Sequence, residues 1–203
     1  VQLDSLKKAD TLQQVGEASH WTLQASPYLN DTVHLTCLVI TPCAAYGDPP
    51  RPYYGLTYTN HGWTMLVHDT GTSSNSFTGA LVRVGSDTAR ARTDGFITPQ
   101  RGAIISMTVL IQEFPLSSMN STTQLQPVPG FAIDPITSNN PIPAPTLLTA
   151  ADFYAGGYPG GKTKYSTGEA YEGSLVLLTH LTVNTYVNTT RGTWAMTDAF
   201  GNY

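Results

Sequence analysis

Apolar and polar positions alternate along most of this chain with a period of two. Val33, Leu35, Cys37 and Val39 fall on one side of an extended segment, Trp63, Met65 and Val67 on one side of a second, and Leu175, Leu177, Leu181 and Val183 on one side of a third. Successive side chains of a strand point to opposite faces, so this alternation predicts β-strands with one face turned to a core. Another strand is expected between Tyr53 and Thr59, with Asn60-His61-Gly62 as the turn that folds it back on Trp63 to His68. The turn-rich stretch Asp69 to Thr78 then leads to Ala80-Leu81-Val82-Arg83-Val84, which completes a three-strand meander. Ile104 to Phe114 is apolar at both parities and reads as a central strand, with Leu175 to Val187 as its rival for that place.

Helical spacing is scarce. Leu3, Leu6, Ala9, Leu12 and Val15 would suit a short N-terminal helix or a frayed linker over residues 1–18. Thr149-Ala150-Ala151-Asp152 has the form of a capping box opening about two turns, ended by Gly156 and Gly157. From Pro115 to Pro145 the prolines at 127, 129, 135, 141, 143 and 145 recur among Ser, Asn and Thr, the composition of an extended surface strap poor in hydrogen bonds. No repeat and no boundary leaves two viable cores, so the expected fold is all-β: one domain of 203 residues, an antiparallel barrel or sandwich with long Pro/Gly-rich loops.

Composition narrows the partners. Ten Lys plus Arg against 14 Asp plus Glu leave a net charge of −4 and no basic stripe, which argues against nucleic acid. No apolar run is long enough for a transmembrane helix, so membrane insertion is not expected. Val1 to Gly16 is polar, unlike a signal peptide, and the start at Val rather than Met suggests a piece of a longer protein. Cys37 and Cys43 would lie about 20 Å apart if the chain between them is extended, far beyond disulfide reach, so two free thiols are favoured unless Pro42 reverses the chain sharply. Sequons at Asn30, Asn120 and Asn188 arise easily in a Thr-rich sequence and do not settle the compartment.

Three patterns resemble catalytic or ligand-binding motifs. Gly156 to Thr163 fits the phosphate-loop spacing, but that mechanism needs a buried strand before it and a helix after it, and Lys164 to Glu169 does not read as a helix. Asp69-Thr70-Gly71 after Met65-Leu66-Val67 matches the signature of aspartic proteases, whose chemistry needs two carboxylates sharing a proton. No second such triplet occurs, so a protease would have to pair Asp69 with its equivalent in a homodimer. His20, His34, His61, His68 and His180 have no recognised zinc-ligand spacing. The expectation is no cofactor, no metal and no catalytic residue.

Function is then sought on the surface. Tyr46, Tyr53, Tyr54, Tyr58, Tyr154, Tyr158, Tyr165 and Tyr171 lie in or beside expected loops, where tyrosine offers contact area at low entropic cost, or else clamps loops to the sheet. Pro49, Pro50 and Pro52 would stiffen the connector between the first strand and the meander and hold Tyr46, Arg51, Tyr53 and Tyr54 as a fixed cluster. These four, with Tyr158, are the candidate receptor or partner contacts.

The segments GALVRVG, GAIISMTVLIQEF and EGSLVLLTHLTVNTYV read like capsid-protein strands. Taken with the size, low charge and Thr, Ser, Asn and Pro content of the whole chain, they resemble the protruding spike of small non-enveloped RNA virus capsids, and among these the chain is most similar to the astrovirus capsid spike. That resemblance implies a non-catalytic homodimer on the virion surface, attachment to a host cell-surface receptor (protein or glycan), and recognition by neutralising antibodies. Ile104 to Phe114 or Leu175 to Val187 could supply the apolar dimer face. The alternative from another class is a microbial carbohydrate-binding or adhesin module, and the enzyme alternative is the aspartic protease.

Overall fold

The computed structural model describes Leu3 and residues 26–43, 63–114, 122–155, 162–188 and 193–198. Its centre is a closed five-stranded barrel of mixed direction. The strands are β1 (Thr32–Thr41), β2 (Trp63–Asp69), β3 (Gly79–Gly85), β4 (Ile104–Phe114) and β5 (Thr122–Pro127), in the order β1-β2-β3-β5-β4, and β4 closes on β1. All neighbours are antiparallel except β3 and β5. β6 (Asp134–Thr137) extends the sheet beside the first residues of β4. A five-stranded Greek-key barrel of this order, with a helix between its third and fourth strands, has the layout of the OB-fold.

Alternation builds this barrel directly. Leu35, Cys37 and Val39 of β1, Trp63, Met65 and Val67 of β2, Ala80, Val82 and Val84 of β3, Ile105, Met107, Val109 and Ile111 of β4, and Leu125 of β5 all point inward and are buried together. Fully burying each large aliphatic side chain among them contributes roughly 1.5–3 kcal/mol. β4 is central, as its composition suggested: β1 takes one edge, and β5 and β6 share the other. Its two faces are unequal, because residues 104, 106, 108, 110 and 112 are only half buried.

One end of the barrel is capped by a short helix, α1 (Thr88–Thr93), that hydrophobic periodicity does not announce because Ala91 is its one buried residue. The Asp87 carboxylate accepts from the Arg90 amide at 2.9 Å and starts it. Trp63 then donates through Nε1 to Thr88 Oγ1 at 3.0 Å, Arg90 pairs with Asp94 at 3.3 Å and donates to the Pro127 carbonyl, and Ala91 and Phe96 seal the core.

Two expectations need correction, and a third, the strand at residues 53–59 folding back on Trp63–His68, lies outside the described residues. The Pro-rich stretch 115–145 is not a strap throughout. Its Thr122–Pro127 is β5, which closes the barrel, and Asp134–Thr137 is β6. The strand expected over Leu175–Val187 is two strands, β10 (Val176–Leu178) and β11 (Thr182–Asn188), broken at Thr179-His180-Leu181 where His180 adopts φ 58°. Neither enters the barrel: β10 pairs in parallel with β7 (Thr146–Leu148), and β11 pairs with β12 (Thr193–Thr197).

The β2–β3 connection and the start of β3 hold β7 and residues 170–173 against the barrel. His68 is fully buried, donates from Nδ1 to the Asp69 carbonyl at 2.7 Å, and sets Nε2 2.9 Å from the Ser74 carbonyl and 2.8 Å from Thr78 Oγ1. Asn75 donates to the Ala144 carbonyl at 2.7 Å and to Thr146 Oγ1 at 3.0 Å. Phe77, held at φ 62°, donates its amide to the Ala170 carbonyl. Gly173 (φ +70°) lies so close to the Ala80 backbone that a Cβ there would stand 2.8 Å from it.

Candidate functional site

Several residues singled out in the sequence fall outside the described residues: Tyr46, Arg51, Tyr53, Tyr54, Tyr58 and Tyr158, together with His20 and His61. In chain order the first four belong to the β1–β2 connection. Tyr154 and Tyr171 are half buried, and Tyr28 packs against the core.

Asp69 ends β2 on the inward side, opposite Cys37 of β1, and is 5 % exposed. Its Oδ1 accepts the Leu3 amide at 2.6 Å, and Leu3 itself belongs to the core. A carboxylate holding a main-chain amide inside the barrel is placed to anchor the N-terminal segment. Glu113 does the same from β4: it is 4 % exposed, and its Oε1 accepts from the Ser26 amide at 3.0 Å and the Thr123 hydroxyl at 2.8 Å. The two buried acids thus secure both ends of the segment between Leu3 and Ser26.

Around Lys162 the local structure differs from expectation. A helix, α3 (Tyr165–Tyr171), does follow, contrary to the reading of Lys164–Glu169 as non-helical. Lys162 and Thr163, however, form β9 against β8 (Tyr154–Ala155), so they are extended rather than in the first turn of a helix, where phosphate-loop chemistry requires them. The capping box at Thr149 is present, with Asp152 accepting from the Thr149 amide at 2.7 Å and hydroxyl at 2.9 Å. It opens one turn, α2 (Ala150–Phe153), and the chain leaves for β8 before reaching Gly156. The Thr149 amide, then its hydroxyl, hold the Asp152 carboxyl below its ordinary value.

Cys37 and Cys43 are free and buried. Burial, and secondarily the Asp69 charge, push the Cys37 thiol above its ordinary value; burial pushes Cys43 up to about 12, partly offset by a hydrogen bond from the Thr64 backbone. His34 is exposed beside Thr108, His180 is exposed beside Thr179, and among the described residues no group of three metal-ligating side chains converges.

The surface offers two kinds of feature. The first is apolar. Leu147 and Leu177 are register partners in the β7–β10 sheet and are 64 % and 50 % exposed. Val183 and Met196, register partners in the β11–β12 sheet, are 52 % and 42 % exposed. Leu177 and Val183 were expected on a buried face, and both face out. The second feature is concave. One cleft of about 490 Å³ runs between the Asp69–Ser73 turn and residues 140–144, floored by Leu38 and Ile104. Another of about 500 Å³ lies between residues 95–103 and β6, beside the exposed Ile136. A smaller one of about 200 Å³ sits on the outer face of the barrel over β3, β5 and β4, lined by Arg83, Ser86, Gln112, Gln124 and Gln126.

No family model, no curated protein and no solved structure matches the chain.

Proposed function

We propose that this chain is the protruding spike of a small non-enveloped RNA virus capsid, similar to the astrovirus spike: a non-catalytic homodimer on the virion surface that attaches to a host-cell receptor and carries antibody epitopes. The observation that supports this best is the pair of small outer sheets bearing Leu147 beside Leu177 and Val183 beside Met196. Isolated exposed leucines are ordinary, but exposed apolar residues paired across strands outside a filled core suit a surface that another chain covers. These pairs include Leu177 and Val183, from the stretch expected to supply a dimer face. A rigid barrel whose long β1–β2 connection carries Tyr46, Arg51, Tyr53 and Tyr54 suits attachment, since barrels of this layout recognise ligands through that connection.

The test is the mass of the chain in solution, with Val183→Lys combined with Met196→Lys as the perturbation. The proposal expects a dimer at micromolar concentration and a folded monomer for the double variant, its midpoint lowered only by the stabilisation that dimerisation lends the parent. A native monomer would overturn it.

A carbohydrate-binding module is the second reading, favoured by the OB-type layout and by the small polar cleft on the barrel. The aspartic-protease reading loses ground because the Asp69 carboxylate is occupied by the Leu3 amide. Peptide cleavage at acidic pH that disappears in Asp69→Asn would restore it.

A further inference from the structure

The geometry of the small cleft points to a binding site for a neutral, hydroxyl-rich ligand, which we propose is a terminal hexose unit of a glycan. The site itself stands on the barrel's chemistry, while its use in attachment rests on the spike reading.

Three glutamines converge there by register. Gln112 of β4 lies directly opposite Gln124 of β5, and Gln126 is two residues further along the same face. Directly opposed side chains start about 5 Å apart, and positions i and i+2 of one strand about 7 Å apart, spans comparable to the distance across a sugar ring. Arg83 approaches from β3, and Ser86 closes the rim just beyond that strand's end. Glutamine is not a favoured strand residue, so three on one patch are poorly explained by strand formation.

The second observation is burial. Gln124 is 7 % exposed although it points away from the core, and with the half-buried Gln112 and Gln126 it lines the cleft rather than the open surface.

Chemistry selects the class of ligand. Each amide offers two N–H donors and a carbonyl acceptor, while a hydroxyl offers one donor and accepts as well. Adjacent hydroxyls of a sugar can therefore satisfy both ends of an amide. A sulfate, which only accepts, would leave three carbonyls unmatched. The described lining contains no carboxylate and no aromatic ring. Hydrogen bonds without a stacking platform imply weak binding at each site, with a dissociation constant on the order of millimolar. Repeated display on a particle would raise the avidity by effective concentration.

The experiment is a ¹H–¹⁵N NMR titration of the whole chain with galactose, glucose and mannose, each taken to about 50 mM, well above a millimolar constant. Sodium sulfate at matched ionic strength serves as the anion probe. The expected result is saturable movement of the Gln112, Gln124 and Gln126 side-chain amide signals with at least one hexose, and none with sulfate. Gln126→Ala, half exposed and remote from the core, should raise the midpoint at least about tenfold at unchanged thermal midpoint, and Gln112→Ala is the second variant should the first misfold. Saturation by sulfate and not by any hexose would overturn the ligand class. No saturation with any hexose, or saturation that both variants leave untouched, would overturn the site. The spike reading is tested separately by the dimer mass, so either can fail without the other.

Discussion

Removing the Glu113 carboxylate should loosen the barrel at the point where the N-terminal segment joins it. Glu113 Oε1 serves two donors, the Ser26 amide at 3.0 Å and the Thr123 hydroxyl at 2.8 Å, and Ser26, Thr123 and Glu113 are all buried. Glu113→Ala leaves both donors without that acceptor. Each stranded buried donor costs about 1–3 kcal/mol, and the Thr123 hydroxyl can rotate toward another partner, so the lower half of the summed range applies: about 2–4 kcal/mol. For a chain of this size each kcal/mol lowers the thermal midpoint by about 2–4 °C, giving a fall of roughly 5–15 °C. Glu113→Gln keeps an acceptor in place and loses only the charge assistance, about 1 kcal/mol. Thr123→Val in the Glu113→Ala background should cost less than it does alone, because one of the stranded donors is then gone. Urea unfolding followed by the fluorescence of buried Trp63, at one fixed protein concentration because a dimer links stability to concentration, would measure the parent and all four variants. A Glu113→Ala midpoint within about 0.5 kcal/mol of the parent, the usual range for an uninvolved surface site, would refute the clamp. Equal losses in Glu113→Gln and Glu113→Ala would show that the charge, and not its role as acceptor, is what matters.

Other expectations follow from the same contacts. Gly173→Ala meets the Ala80 backbone at 2.8 Å and also needs a left-handed residue, so it should destabilise clearly more than Gly130→Ala. Gly130→Ala, at φ +80° with nothing within 4 Å, carries only the conformational cost of about 1–2 kcal/mol; equal midpoints would refute the close packing of α3's exit on β3. Burial holds both thiols protonated at pH 8, so neither Cys37 nor Cys43 should react with a thiol reagent in the native state, and two equivalents should react in guanidinium; a rapid native reaction of either would contradict this. The Asp152 carboxyl, followed by NMR, should titrate below its ordinary value and move part of the way back in Thr149→Ala, which keeps the amide. Because its folded pKa is depressed, the associated stabilisation is present above the unfolded value and is lost as pH falls through the folded one. An Asp152 midpoint at the ordinary value would contradict that cap.

The barrel strands β1 to β4 were legible because their inward positions are aliphatic or aromatic at strict period two and turn residues bound them. β5 was not, since Thr122-Thr123-Gln124-Leu125-Gln126-Pro127 has one aliphatic residue and its burial comes from the neighbours it pairs with. Local apolar content misled at Leu175–Val187, where a left-handed His180 breaks the run and tertiary placement leaves Leu177 and Val183 exposed. α3 was missed because Ser166, Thr167 and Gly168 are poor helix formers, and α1 because Asp87 capping, rather than a hydrophobic stripe, starts it. The sugar-sized cleft had one faint signal, three glutamines in strands, but only register brings Gln112 opposite Gln124. The candidate contacts Tyr46, Arg51, Tyr53, Tyr54 and Tyr158 rest on sequence reasoning alone, which ties them to the dimeric spike reading and its tests.

Light scattering coupled to size exclusion at micromolar concentration tests that reading most directly. A single species of twice 21.8 kDa is predicted. A species of 21.8 kDa that persists as concentration rises would contradict a homodimeric spike and move the balance to a monomeric glycan-binding module.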